Sequence, residues 1–165
     1  MTFELATYLP YLVNRLGVRL AFAFSKELAA FGVTLPMWRV MAALHDCREA
    51  SVGRLSIATS IELSTLSRLL VAMERRGLLR RRRASGDARS VLVELSAAGA
   101  RATRRIIPTA VRYQEIALRD FAPADAEALK AMLVRVYGNV AALEEEARRP
   151  PQPRRKTVSA AGRVG

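Results

Sequence analysis

Two groups of side chains in this 165-residue chain could do chemistry. The first is His45 with Cys47, the only histidine and the only cysteine. An imidazole near a thiol is the raw material of a base and its nucleophile. On a helix, positions two apart point to nearly opposite sides, so this pair meets only if the helix ends between them. One cysteine and one histidine also exclude an internal disulfide, a thiolate zinc cluster and a multi-histidine metal site. Neither a glycine-rich phosphate loop nor a serine elbow is visible. The expectation is therefore no enzyme, no cofactor and no metal. Cys47 could sense redox only with a thiol from a second subunit, with Arg48 favouring the thiolate; an inert cysteine is the commoner case.

The second group is a set of hydroxyls and guanidiniums. Ser64, Thr65 and Ser67 precede Arg68 and Arg75, and Asp87 and Arg89 follow on a later segment. Small hydroxyls and a forked donor on one helix face are suited to base edges and phosphates in the DNA major groove. An arginine at a hairpin tip suits the adjacent minor groove, where negative potential is concentrated. Arg89 is the residue expected there, with Asp87 orienting its guanidinium.

The charge distribution agrees with a polyanion partner. The formal charge is +12, supplied mostly by arginine, since Lys26, Lys130 and Lys156 are the only lysines. Residues 54–105 carry +8, against +1 for residues 1–53 and −3 for residues 106–147. A basic block between near-neutral flanks reads as a nucleic-acid-binding module in a larger scaffold. Residues 148–165 carry +6, are rich in proline and arginine, and are expected to be disordered. No apolar run reaches the length of a membrane span, and the N-terminus lacks a secretory pattern, so a cytoplasmic protein with no membrane partner is expected.

Certain elements must position these residues. Leu9, Leu12, Leu16, Leu20 and Phe24 repeat at helical steps, predicting one long helix over 4–31 that Gly32 ends. Thr34 and Pro36 open a second helix over about 35–46. A short helix over 52–59, a tight turn at Ser60–Glu62 and a helix over about 63–76 follow, with Gly77 as the stop. Leu66, Leu69, Leu70 and Met73 form the inner side of that last helix. After Gly77 the period changes: 79–83 and 89–95 read as strands around a polar turn at 84–88. Ser96 caps a fifth helix to about Asp120, with Pro108 expected to kink it, and Pro123 with Asp125 opens a sixth. The fold expected is mainly α with a small β-hairpin: a winged helix-turn-helix flanked by long N- and C-terminal helices.

Five segments make the sequence resemble the MarR (multiple antibiotic resistance regulator) family. They are Gly32-Val-Thr-Leu-Pro-Met-Trp-Arg-Val, Ser51-Val-Gly-Arg-Leu, Leu63-Ser-Thr-Leu-Ser-Arg-Leu-Leu, Met73-Glu-Arg-Arg-Gly-Leu-Leu-Arg-Arg and Gly86-Asp-Ala-Arg-Ser-Val-Leu-Val-Glu-Leu-Ser. The last matches the family's Asp-x-Arg-Ser wing signature. The likeness covers about residues 8–147. Two positions depart from the pattern: Ser60 stands where glycine is frequent, and Glu62 where a stronger cap such as serine or aspartate is common.

The resemblance implies a homodimeric transcriptional regulator, usually a repressor on a palindromic operator in double-stranded DNA, relieved by a small ligand. It implies dimerisation helices in 4–31 and 96–147 around a DNA-binding lobe in 34–95. It also implies an effector pocket between them, often for aromatic acids or phenols. Trp38, Met41 and His45 share one helix face that could line such a pocket, and Arg15 and Arg19 could hold a carboxylate. The competing readings are core packing for Trp38 and Met41, a helix-end position for His45, and intersubunit salt bridges for the arginines. For the whole chain the alternative is an architectural protein that binds DNA by charge, without sequence preference.

Overall fold

The structure is a computed structural model that describes residues 3–84 and 87–148, with side chains described except at 84–90 and 144–148. The basic tail lies outside the described residues. The chain divides into two compact units, Met1–Ala117 and Leu118–Gly165.

The first unit opens with a short 3-10 turn, Leu5–Thr7, before helix α1, Leu9–Ala30. The helix thus starts later than the expected residue 4. Pro10 sets the start: it has no N–H to give and is accepted only in a first turn. Helix α2 is Leu35–Cys47, with Thr34 accepting from the Met37 amide and Pro36 in its first turn. Strand β1, Glu49–Ser51, leads into helix α3, Val52–Thr59, whose cap is Ser51. Helix α4 is Leu63–Arg75. Strands β2, Leu79–Ala84, and β3, Asp87–Leu95, form the hairpin, and helix α5, Ala97–Ala117, closes the unit. Pro108 lies inside α5, which continues past it. The second unit contains helix α6, Pro123–Arg148. Among the described residues no single helix is long and apolar enough to cross a membrane.

The core belongs to α1–α5 and the sheet. Leu28, Met41, Leu44, Leu55, Leu66, Leu70, Met73, Val93 and Ile106 are all buried in one cluster. Leu66, Leu70 and Met73 follow the predicted inner side of α4, while Leu69 is only half-buried. The sheet is antiparallel with order β1-β3-β2, Ala50 facing Val93 and Arg81 facing Val93 from the other side. β1 was not foreseen: three residues with a partner more than forty positions away leave no local pattern.

Three helices end on the same device. Val33 and Gly32 donate to Leu28 and Ala29 after α1, and Leu78 and Gly77 to Met73 and Glu74 after α4. These are Schellman closures, with Gly32 at φ 64° and Gly77 at φ 68°. At the end of α3 the glycine's place is taken by Ser60, at φ 53°, with Ile61 donating to Ser56. The turn therefore keeps the glycine geometry with a residue that resists it. Ser60→Gly is expected to raise stability by about 0.5–1 kcal/mol, left-handed strain relieved minus glycine's extra unfolded entropy. A thermal melt should show a rise of roughly 2 °C; a fall would mean that the Ser60 side chain stabilises the turn.

Candidate nucleic-acid interface

Helix α4 presents two faces. One carries the buried Leu66, Leu70 and Met73; the other leaves Ser64, Thr65, Ser67, Arg68 and Arg75 exposed. The structure thus brings these five predicted residues onto one solvent-facing side of a single helix. Their hydroxyls are not equivalent. Ser67 Oγ donates back to Leu63 O at 2.8 Å, and Ser64 Oγ donates to the Glu62 carboxylate. Both keep lone pairs as acceptors but have committed their protons. Among the described residues Thr65 Oγ1 makes no hydrogen bond.

Glu62 is a stronger cap than its departure from the family pattern implied. Its Oε2 accepts the backbone amides of Ser64 at 2.9 Å and Thr65 at 3.0 Å, besides the Ser64 hydroxyl. A carboxylate at this end also opposes the helix dipole. The Ser64 hydroxyl, then the two amides, lower its pKa to about 2, with the nearby Arg68 charge adding to them. A carboxyl that is more acidic folded than unfolded contributes stability above its unfolded pKa of about 4.5 and loses it as pH falls through about 2. A carboxyl-detected NMR titration should therefore place the Glu62 midpoint well below the ordinary 4.5. A midpoint near 4.5 would mean the cap is open in solution.

The hairpin is fastened to α4. Residues alternate across a strand, so neighbouring arginines of β2 leave on opposite sides. Arg81 turns to α4, its guanidinium 2.6 Å from Glu74 and its amide 3.2 Å from the same carboxylate. Arg82 turns to β1, 2.5 Å from Glu49. The Arg81 contact holds the Glu74 carboxyl below its ordinary range. Glu74, Arg81, Arg82, Arg83 and Val91 line an open cleft of about 250 Å³ beside the hairpin. The backbone of Asp87 and Arg89 lies on β3, with Asp87 paired to Ala84. Their side chains lie outside the described residues.

The far end of α4 is pinned as well. Arg76 donates to Gly32 O at 2.6 Å and to Met37 Sδ at 3.3 Å, joining the helix to the α1–α2 corner. Behind it, Ser96 accepts from the Gly99 amide and donates to Gly77 O, while Thr103 donates to Gly99 O. Sequence reasoning placed Glu62 at the cap position but underrated it, and missed Glu74, Glu49 and Arg76. Glu62 had a local signal, an acid two residues before Ser64; the other three act across 7 to 44 positions and had none.

The predicted effector residues do not share one environment. Met41 is wholly buried in the core. Trp38 is half-buried and meets Phe24 edge-on at 5.8 Å, and Tyr113 also packs on Phe24, at 5.4 Å. His45 is exposed near the end of α2 and Cys47 is half-buried. Arg15 and Arg19 are exposed on α1, with Arg15 lying over the Tyr11 ring. Among the described residues no group of three or more His, Cys, Asp or Glu is placed to hold a metal ion.

A sequence model of the MarR family matches residues 33–91, which span α2 to the hairpin. A transcriptional regulator of the MarR family from Silicibacter pomeroyi is 31% identical, with a TM-score of 0.76 over 83% of this chain and 92% of that one. A mutant MarR from E. coli, solved with operator DNA, is 19% identical, with a TM-score of 0.69 over 78% and 92%. BpsR of Bordetella bronchiseptica, whose DNA binding is regulated by 6-hydroxynicotinic acid, is 23% identical, with a TM-score of 0.70 over 78% and 98%. No curated protein matches by sequence.

Proposed function

Because the chain belongs to the MarR family of transcriptional regulators, we propose that it is a homodimeric repressor that binds a palindromic operator and releases it on taking up a small aromatic acid or phenol. The observation that carries the DNA reading is the exposed Ser64–Arg68 face of α4 with an arginine hairpin braced against it by Glu74 and Arg81. In this reading α4 enters the major groove, Arg75 meets phosphate, and Arg89 with Asp87 serves the minor groove. The residues assigned to DNA are Ser64, Thr65, Ser67, Arg68, Arg75, Asp87 and Arg89.

Dimerisation is supported by apolar surface that each unit leaves to solvent. Leu9, Leu12, Leu16 and Phe22 on α1 are exposed, as are Met132, Val134, Tyr137 and Val140 on α6. Surface of this kind is an expected interface rather than an ordinary exterior. Residues 4–31 and 96–147 are accordingly assigned to the dimer and 34–95 to the DNA-binding lobe. The effector reading draws on the 6-hydroxynicotinic acid response of BpsR. Trp38 and His45 would bound the ligand, Met41 would pack beneath it, and Arg15 and Arg19 would offer carboxylate partners.

The test is competition at physiological salt against a duplex from the chain's own locus. Random DNA is expected to compete roughly 10³-fold less well than an operator. Equal competition would favour the architectural alternative, in which charge alone binds DNA.

A further inference from the structure

The tip of α4 carries a negative charge where a DNA-reading helix would ordinarily attract phosphate. A bare helix N-terminus offers amides to an anion. Here Glu62 has taken the amides of Ser64 and Thr65 for itself, and its carboxylate is exposed. A phosphate is repelled from that point. What the tip can still accept is a hydrogen-bond donor. All three bonds from Ser64 and Thr65 fall on Oε2, and among the described residues Oε1 receives none. The group is thus anchored through one oxygen and open at the other, so little side-chain freedom is lost when a donor arrives.

Major-groove edges offer two donors, the N6 amine of adenine and the N4 amine of cytosine. Adenine presents the N7 acceptor on the same edge, which opposes a carboxylate; cytosine presents its amine alone. Arg68, exposed farther along the same helix, has the reverse character, donors without acceptors, and suits guanine. We propose that Glu62 is a specificity-determining residue that accepts a hydrogen bond from the N4 amine of one cytosine in each half-site. The proposal rests on the reading of α4 as the groove-entering helix. The low pKa of Glu62, about 2, keeps the group an acceptor at every working pH. Its charge also weakens binding wherever the opposing base offers only acceptors, so the residue discriminates by repulsion as well as by attraction.

The experiment is selection from a duplex library with randomised positions, using the full chain, Glu62→Gln and Glu62→Ser. Serine restores a good N-cap without the carboxylate, and helix content by circular dichroism confirms that α4 persists. The wild-type pool should fix cytosine at one position per half-site. Both variants should lose that preference, with discrimination falling on the order of tenfold, while the other positions stay selected and affinity for random DNA rises. Variants that enrich the same cytosine as the wild type would overturn the proposal and leave Glu62 a cap. A wild-type pool with a defined motif but no cytosine dependent on residue 62 would overturn it too. A wild-type pool with no motif at all would overturn the DNA-reading role of α4 itself, and this proposal with it.

Discussion

Arg68→Ala is expected to weaken operator binding by about 1–3 kcal/mol, roughly 5- to 150-fold, with almost no change in stability. The two effects separate because Arg68 is exposed on α4 and contributes nothing to the cluster of Leu66, Leu70 and Met73 beneath it. Exposed substitutions away from packing usually stay within about 0.5 kcal/mol in stability. A guanidinium facing a guanine, by contrast, makes two parallel hydrogen bonds that no other base reproduces. Fluorescence anisotropy with operator and random duplexes at several salt concentrations distinguishes the roles. A base contact predicts loss mainly on the operator and relaxed preference at one position. A phosphate contact predicts a uniform loss and a salt slope reduced by about one. Unchanged operator affinity would remove Arg68 from the interface.

Gly99→Ala is expected to be the most damaging glycine-to-alanine change among the described residues. An added Cβ would stand 1.8 Å from the Leu78 carbonyl oxygen and 2.8 Å from its carbon. Backbone cannot swing aside as a flexible side-chain end can. The start of α5 would have to move off the Gly77–Leu78 segment that precedes β2, breaking the Ser96 amide bond to Leu78 O and the Ser96 hydroxyl bond to Gly77 O. Overpacking of this kind costs about 3 kcal/mol or somewhat more, so the melting temperature should fall by roughly 10 °C. A melt within 2 °C or so of the wild type would mean that the junction between α5 and the Gly77–Leu78 segment is looser than its hydrogen bonds imply.

Most of this fold is legible locally. α3 falls at Val52–Thr59, the span expected from the sequence, because a short stretch anchored by the buried Leu55 is bounded by Ser51 and the Ser60 turn. The hairpin is legible because the apolar period drops after Gly77. The illegible parts share a cause. β1 exists only through its pairing with β3, and Arg76 matters only through Gly32 and Met37. Glu62 is a different kind of miss: cap preference ranks residue types by frequency, whereas this side chain is long enough to reach two amides and a hydroxyl at once. The exposed hydroxyls and Arg68 of the candidate interface were readable from helical spacing. Helical spacing put Met41 and His45 on one face but did not foretell their burial, since Met41 is buried and His45 exposed.

Buried Leu66, Leu70 and Met73 seat α4 along its length, and the Arg76 anchor ties its far end to the α1–α2 corner. Between Ser64 and Arg76 the helix reaches about 18 Å. A tilt of roughly 3° at the anchored end therefore carries the Ser64 tip about 1 Å, enough to stretch a good hydrogen bond past its useful range. If α4 enters the groove as proposed, the corner between α1 and α2 would share in setting its aim from a distance.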